Sequence, residues 1–119
     1  DALLGTAPEW SAQQNFNATT LTFNATQAWN VSTDQVTSVT LTANVTFSAP
    51  TNMKDGGFYS ITVIQDGTGS RTLSLGTDYE TAGGAGLTIS TAASAVDVIP
   101  YFVKASSSIQ LGAPQLAFA

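Results

Sequence analysis

The stretch VTSVTLTANVTF, residues 36 to 47, constrains this chain more than any other. Val39, Leu41, Ala43, Val45 and Phe47 recur at every second position, with Thr40, Thr42, Asn44 and Thr46 between them. Alternate side chains of an extended backbone point to opposite faces, so this spacing predicts a strand with one apolar and one polar face. In FYSITVIQ (58–65), Tyr59, Ile61 and Val63 alternate with Ser60, Thr62 and Ile64. Shorter runs follow at TLSLG (72–76), GLTIS (86–90), VDVIPYFVK (96–104), SIQLG (108–112) and QLAF (115–118), and APTNMKDGG (49–57) is a breaker cluster. No segment sustains a helical period. About eight short strands between turn signals predict an all-β fold, an antiparallel β-sandwich or barrel. Pro100 has no N–H to donate, which places its strand at an edge or at a bulge.

The 119 residues fit one domain. Residues 1–15 have no sustained period and read as an N-terminal arm. Residues 16–119 read as a single β-sandwich domain. The chain opens at Asp1 without Met, which leads us to expect a processed or trimmed start. Leu3, Leu4 and Trp10 on the arm, and Leu116 and Phe118 near the other end, are apolar, terminal residues. They are the interface candidates. FNATTLTFNAT (16–26) repeats Phe-Asn-Ala-Thr at an odd offset, which predicts a bend between Phe16 and Phe23.

Composition removes whole classes of chemistry. The chain has neither cysteine nor histidine. That excludes disulfides, thiolate nucleophiles, imidazole acid–base catalysis and Cys- or His-ligated zinc. With three basic residues (Lys54, Arg71, Lys104) against eight acidic ones, it lacks the cationic groups that nucleic-acid binding needs. No apolar run approaches the roughly 18 residues of a membrane-spanning helix. Charged residues make up only 9% of the chain, against roughly 25% in ordinary soluble domains. Its solubility must therefore come from Thr, Ser and Asn. No cofactor is expected.

Four groups of residues are candidates for a site. QDGTGSRT (65–72) has the look of a ligand loop. It lacks the Lys and following helix of a phosphate loop, and the acidic set of a calcium loop. It reads as a structural hairpin in which Asp66 pairs with Arg71 and Gly67 and Gly69 supply the turn. Asp78 and Glu80 lie two apart, on one face if extended, and are a candidate calcium pair beside the plainer reading of a solvated strand end. Trp29 and Tyr79 are candidate sugar-stacking residues, with core packing as the alternative. Lys54 and Lys104 read as turn or strand-end lysines, not as halves of a Ser-Lys dyad.

MKDGGFYSITVIQDGTGSRTLSL (53–75) followed by GLTISTAASAVDVIPYFV (86–103) resembles a β-domain found in bacteriophage virion proteins: tail fibres, minor tail proteins and head decoration proteins. The resemblance runs over residues 51–104. It rests on Lys54 and Gly56; Gln65 and Asp66; Thr68, Gly69, Arg71 and Thr72; Ile89, Ser90 and Thr91; and Asp97, Val98 and Ile99. The final hairpin departs from the family pattern, since ASSSIQLGAPQLAFA carries only Phe118 where a Trp or Tyr is common. The resemblance implies a non-catalytic virion structural protein. The expectation is a capsid decoration (cement) protein that forms a homotrimer, docks on the major capsid protein and stabilises the head shell. A tail-fibre or tail-tip module and a secreted carbohydrate-binding module are the alternatives.

Overall fold

The structure is a computed structural model and describes residues 11–13 and 15–118. Ten strands follow one another: β1 (Thr19–Thr20), β2 (Thr26–Gln27), β3 (Val36–Leu41), β4 (Val45–Phe47), β5 (Phe58–Gln65), β6 (Leu73–Leu75), β7 (Tyr79–Glu80), β8 (Val96–Ala105), β9 (Ser108–Leu111) and β10 (Gln115–Phe118). One 3-10 turn, Ala82–Gly84, stands between β7 and β8. The all-β fold expected from the alternation is what the chain adopts. Leu3, Leu4 and Trp10 lie outside the described residues.

The direction of the strands differs from the antiparallel expectation. In the larger sheet, of order β1-β3-β5-β8-β9-β7, the first three strands are parallel. The smaller sheet, β2-β4-β6, is parallel throughout. A parallel bridge between Asn30 and Thr51 adds a third column. The chain therefore passes from the large sheet to the small one three times, each pass lying on the one before, as in a short solenoid. Antiparallel pairing is confined to β8, which lies between β5 and β9 and also takes β10.

This topology explains why 36–47 reads as one strand and is two. β3 and β4 belong to different sheets, and residues 42–44 make the exposed corner between them. Val39, Leu41, Val45 and Phe47 are all buried, because both sheets turn the same parity of residue toward the shared interior. Only Ala43 breaks the pattern. It sits at the corner and is exposed. The odd offset between the two FNAT copies resolves similarly. Phe16 is 55% exposed, whereas Phe23, between β1 and β2, packs against the core.

Pro100 lies in an interior strand, neither at an edge nor displaced from β5. It pairs with Ser60, whose N–H is directed away from β8 to the carbonyl of Gln35. On its other side β8 passes from β9, at Tyr101–Leu111, to β10, at Val98–Gln115. The missing donor falls at that handover, where Gly112 N–H reaches the Pro100 carbonyl at 2.9 Å. A Cβ on Gly112 would come within 2.9 Å of the proline ring.

The core joins the two parts. Trp29 and Val31 follow the first turn, Phe47 comes from the small sheet, and Tyr59, Ile61, Val63, Ile99, Tyr101 and Val103 line the inner face of β5 and β8. Trp29 meets Phe47 edge-on at 5.2 Å and Tyr101 at 6.2 Å between ring centroids. Its indole N–H donates to the Tyr101 hydroxyl at 2.9 Å, giving each buried ring a polar partner. Burial pushes the Tyr101 phenol well above the ordinary tyrosine range.

Candidate functional site

Residues 65–72 are held by a dense set of side chain–backbone hydrogen bonds. They do not form a hairpin: β5 and β6 lie in different sheets, and the segment between them is the third corner of the coil. Asp66 Oδ1 accepts from the backbone N–H of Thr68 at 3.1 Å and of Gly69 at 3.0 Å. Arg71 grips the same carboxylate with both Nε, at 3.3 Å to Oδ1, and Nη2, at 2.8 Å to Oδ2. The predicted Asp66–Arg71 pair is thus present, and it is bidentate. The guanidinium holds the Asp66 carboxyl below the usual carboxylate range, and the Gly69 N–H adds to the effect.

The two glycines play unequal parts. Gly69 has φ +72°, and a Cβ there would come within 2.7 Å of Ala93 N and of Thr91 O. Only glycine fits. Gly67 is exposed and does not have positive φ, and a Cβ on it would meet nothing within 4 Å. The second left-handed residue of the turn is Ser70, at φ 62°.

Gln65 and Asp97 complete the corner. Gln65 is 2% exposed, and its amide donates to the carbonyls of Arg71, at 2.8 Å, and Ser90, at 2.9 Å, while its oxygen accepts from Arg71 N–H. Asp97, also 2% exposed, accepts from Ser90 N–H at 2.6 Å and from Ala117 N–H at 2.8 Å. The corner, the 89–97 segment and β10 are thereby tied into one polar knot at the end of the core. Among the described residues no buried side-chain nitrogen or oxygen lacks a partner. The buried side-chain donors and acceptors of the knot are thus engaged internally. A groove of about 220 Å³ beside it is lined by Thr72, Leu73, Leu87, Thr88, Ile89 and Thr91, none of which titrates in the acid–base range.

Residues 12–105 match the family model described as "Putative phage tail fibre C-terminal domain". The chain belongs to this family. The matched span begins ahead of β1 and closes with the last residue of β8, so it takes in β1 to β8 and the polar knot apart from its β10 partner, Ala117. No curated protein and no solved structure matches the chain. Family membership makes it a phage structural protein. It favours the tail-fibre alternative over the capsid decoration role anticipated from the sequence.

The other candidate residues of this tail-fibre domain are scattered. Trp29 is 5% exposed and belongs to the core, so it cannot serve as a stacking platform. Tyr79 is half-buried, and its hydroxyl donates to the Ser48 carbonyl at 2.8 Å. Burial moves that phenol well above its ordinary range. The Asp78 carbonyl accepts from Ile109 N–H, and the Glu80 carboxylate accepts from the Ser108 hydroxyl. No cluster of three or more His, Cys, Asp or Glu able to hold a metal occurs among the described residues. Leu116 and Phe118 are 51% and 53% exposed on β10. Composition gave no warning of Phe58, the most exposed large apolar residue described, at 74%. The signal available was FYSITVIQ, in which Phe58 and Ile64 share the parity of Ser60 and Thr62.

Proposed function

We propose that this chain is a non-catalytic structural domain of a phage tail fibre. The observation that carries the reading is the family match over residues 12–105. The physical character of the domain supports it. Parallel turns stacked on one another present short, threonine-rich outer faces at Thr40 and Thr46, and their corners are fixed by side chain–backbone bonds. Asn44 Oδ1, for example, accepts Thr72 N–H from the next turn at 3.0 Å. Such a unit transmits load along the stack, each turn being supported by its neighbours. Its place is the surface of the particle, and its working form is a homo-oligomer, a trimer by our reading.

The test is electron microscopy of intact particles labelled with antibody raised against the domain. Gold along or at the tips of the tail fibres is the expected outcome. Label distributed over the head would return the chain to the decoration role.

A further inference from the structure

The chain enters the large sheet from one end, and at that end the outer face of the sheet is most apolar. β1, β3 and β5 run parallel, with Thr19 level with Thr37 and Thr37 level with Ile61. Going back along the chain from Thr19 therefore leads toward the level of Phe58, the first residue of β5. Phe58 is 74% exposed and pairs with Phe102 of β8, their ring centroids 4.9 Å apart. Cross-strand partners share a face. From this pair an apolar strip runs along the outward positions of β5 and β8 through Pro100, Val98, Ile64 and Val96. A groove of about 350 Å³ opens at the aromatic end, lined by Phe58, Phe102, Pro100 and Leu111 among others. No carboxylate stands at an outward position of β5 or β8, and the one charged group there is Lys104, just beyond Phe102.

A central strand that is apolar on both faces is the pattern of a strand covered on both faces. We infer that the cover is this chain's own N-terminal segment, residues 1–10, laid along the outer face of β5 and β8 with Trp10 in the groove. Three observations select that occupant. The first is reach. β5 stands two strands from β1, roughly 10 Å at about 4.8 Å per strand, and the residues between Trp10 and Thr19 span up to about 26 Å when extended. The residues before Trp10 then span about 30 Å, more than the roughly 20 Å of strip between Phe102 and Val96. The second is order along the chain. Trp10, the largest apolar side chain of the segment, comes last before β1 and so meets the aromatic end, while Leu3 and Leu4 fall on the aliphatic part. The third is charge. The charged side chains of the segment are Asp1 and Glu9, both acidic. With Trp10 in the groove, Glu9 comes to the Lys104 end of a strip that holds no carboxylate to repel it. The contact lies within one chain, so it is independent of how many chains assemble and of where in the virion they sit.

Paramagnetic broadening in the NMR spectrum of the whole chain tests it, since the chain has no cysteine to compete for a spin label. A nitroxide on Thr6→Cys should broaden the amide signals of Thr62, Val98 and Phe102 and spare those of Thr46 and Ser74 on the small sheet. The broadening should arise when the nitroxide and the isotope label are on the same chain. It should fall away when spin-labelled chains are mixed with isotope-labelled chains that lack the cysteine. Trp10→Ala should weaken it. Lys104→Glu should weaken it too, and adding Glu9→Lys should restore it. Circular dichroism should be unchanged by the charge variants, since Lys104 is exposed. Broadening that arises mainly between chains overturns the proposal and gives the strip to a second copy. Equal broadening of the two sheets, or none at the strip, also overturns it and leaves the strip to a different protein.

Discussion

The parallel stack and the closing antiparallel part of this domain solve the same problem differently. In the stack, β3, β4 and β6 turn apolar residues inside, with Thr37 the one buried exception, and leave Thr40, Thr46 and Ser74 exposed. Each corner is held by polar side chains bonded to backbone, with Asn24 on the first, Asn44 on the second and Asp66 on the third. The closing part has longer strands and apolar groups on both faces, and a single buried carboxylate, Asp97, binds its last strand. The stack is complete as a surface. The closing sheet still carries exposed apolar side chains on its outer side, Phe58 and Phe118 among them.

The largest effect should come from the residue that joins the two parts. Trp29→Ala removes a buried ring packed on both Phe47 and Tyr101 and should cost about 3–5 kcal/mol. Urea unfolding measures it, and a loss under about 1 kcal/mol would mean the two parts are not mechanically one. Asp97→Ala acts on the closing part alone. It leaves the N–H groups of Ser90 and Ala117 without their acceptor, at a cost of about 2–4 kcal/mol. Amide exchange should accelerate first in β10, ahead of β3 and β5; uniform acceleration would show that Asp97 supports the whole fold.

Within the stack, the third corner offers a matched pair. Gly69→Ala forces a side chain into a left-handed position with backbone atoms 2.7 Å away and should destabilise by about 1–3 kcal/mol. Gly67→Ala, a few ångströms along the same corner, meets open space and should be neutral or stabilising by up to about 1 kcal/mol. Thermal midpoints of the two variants decide it. Equal losses would mean that the corner needs glycine for flexibility and not for shape.

The contrast also marks what sequence reasoning could reach. Burial was readable almost residue by residue, because side-chain parity depends only on a period of two. Val39, Leu41, Val45 and Phe47 fall inside whether or not the strand is continuous. Direction was not readable. A two-glycine turn such as Gly67–Gly69 is compatible with a hairpin or a corner, and the choice depends on whether β6 finds β5 or β4 as its neighbour. Pro100 misled for a related reason, since its missing donor costs nothing where one partner strand hands over to another. For Trp29 and Tyr79 residue type leaves core packing and sugar stacking both open, because type does not distinguish a core ring from a platform. The Asp66–Arg71 pair was within reach because both partners lie on one short loop. The part played by Asp97 was not, because its partners come from two distant segments.

The smallest effect concerns the charge on the third corner. Asp66 accepts two kinds of bond, one set from the turn backbone and one from Arg71, and Asp66→Asn separates them. Asparagine keeps a side-chain oxygen for Thr68 and Gly69 N–H but loses the ion pair. The folded carboxyl titrates below its unfolded value because Arg71 favours the ionised form. The pair's contribution is therefore fully present above the unfolded value and is lost as pH falls through the folded one. The wild type should exceed Asp66→Asn in thermal midpoint at neutral pH, and the gap should close as the solution is acidified. Added salt should narrow it too, since the pair is partly exposed and therefore screened. A gap that holds unchanged into acid would assign the effect to turn geometry. The corner would then depend on the shape of Asp66 and not on its charge, as the corners at Asn24 and Asn44 already do.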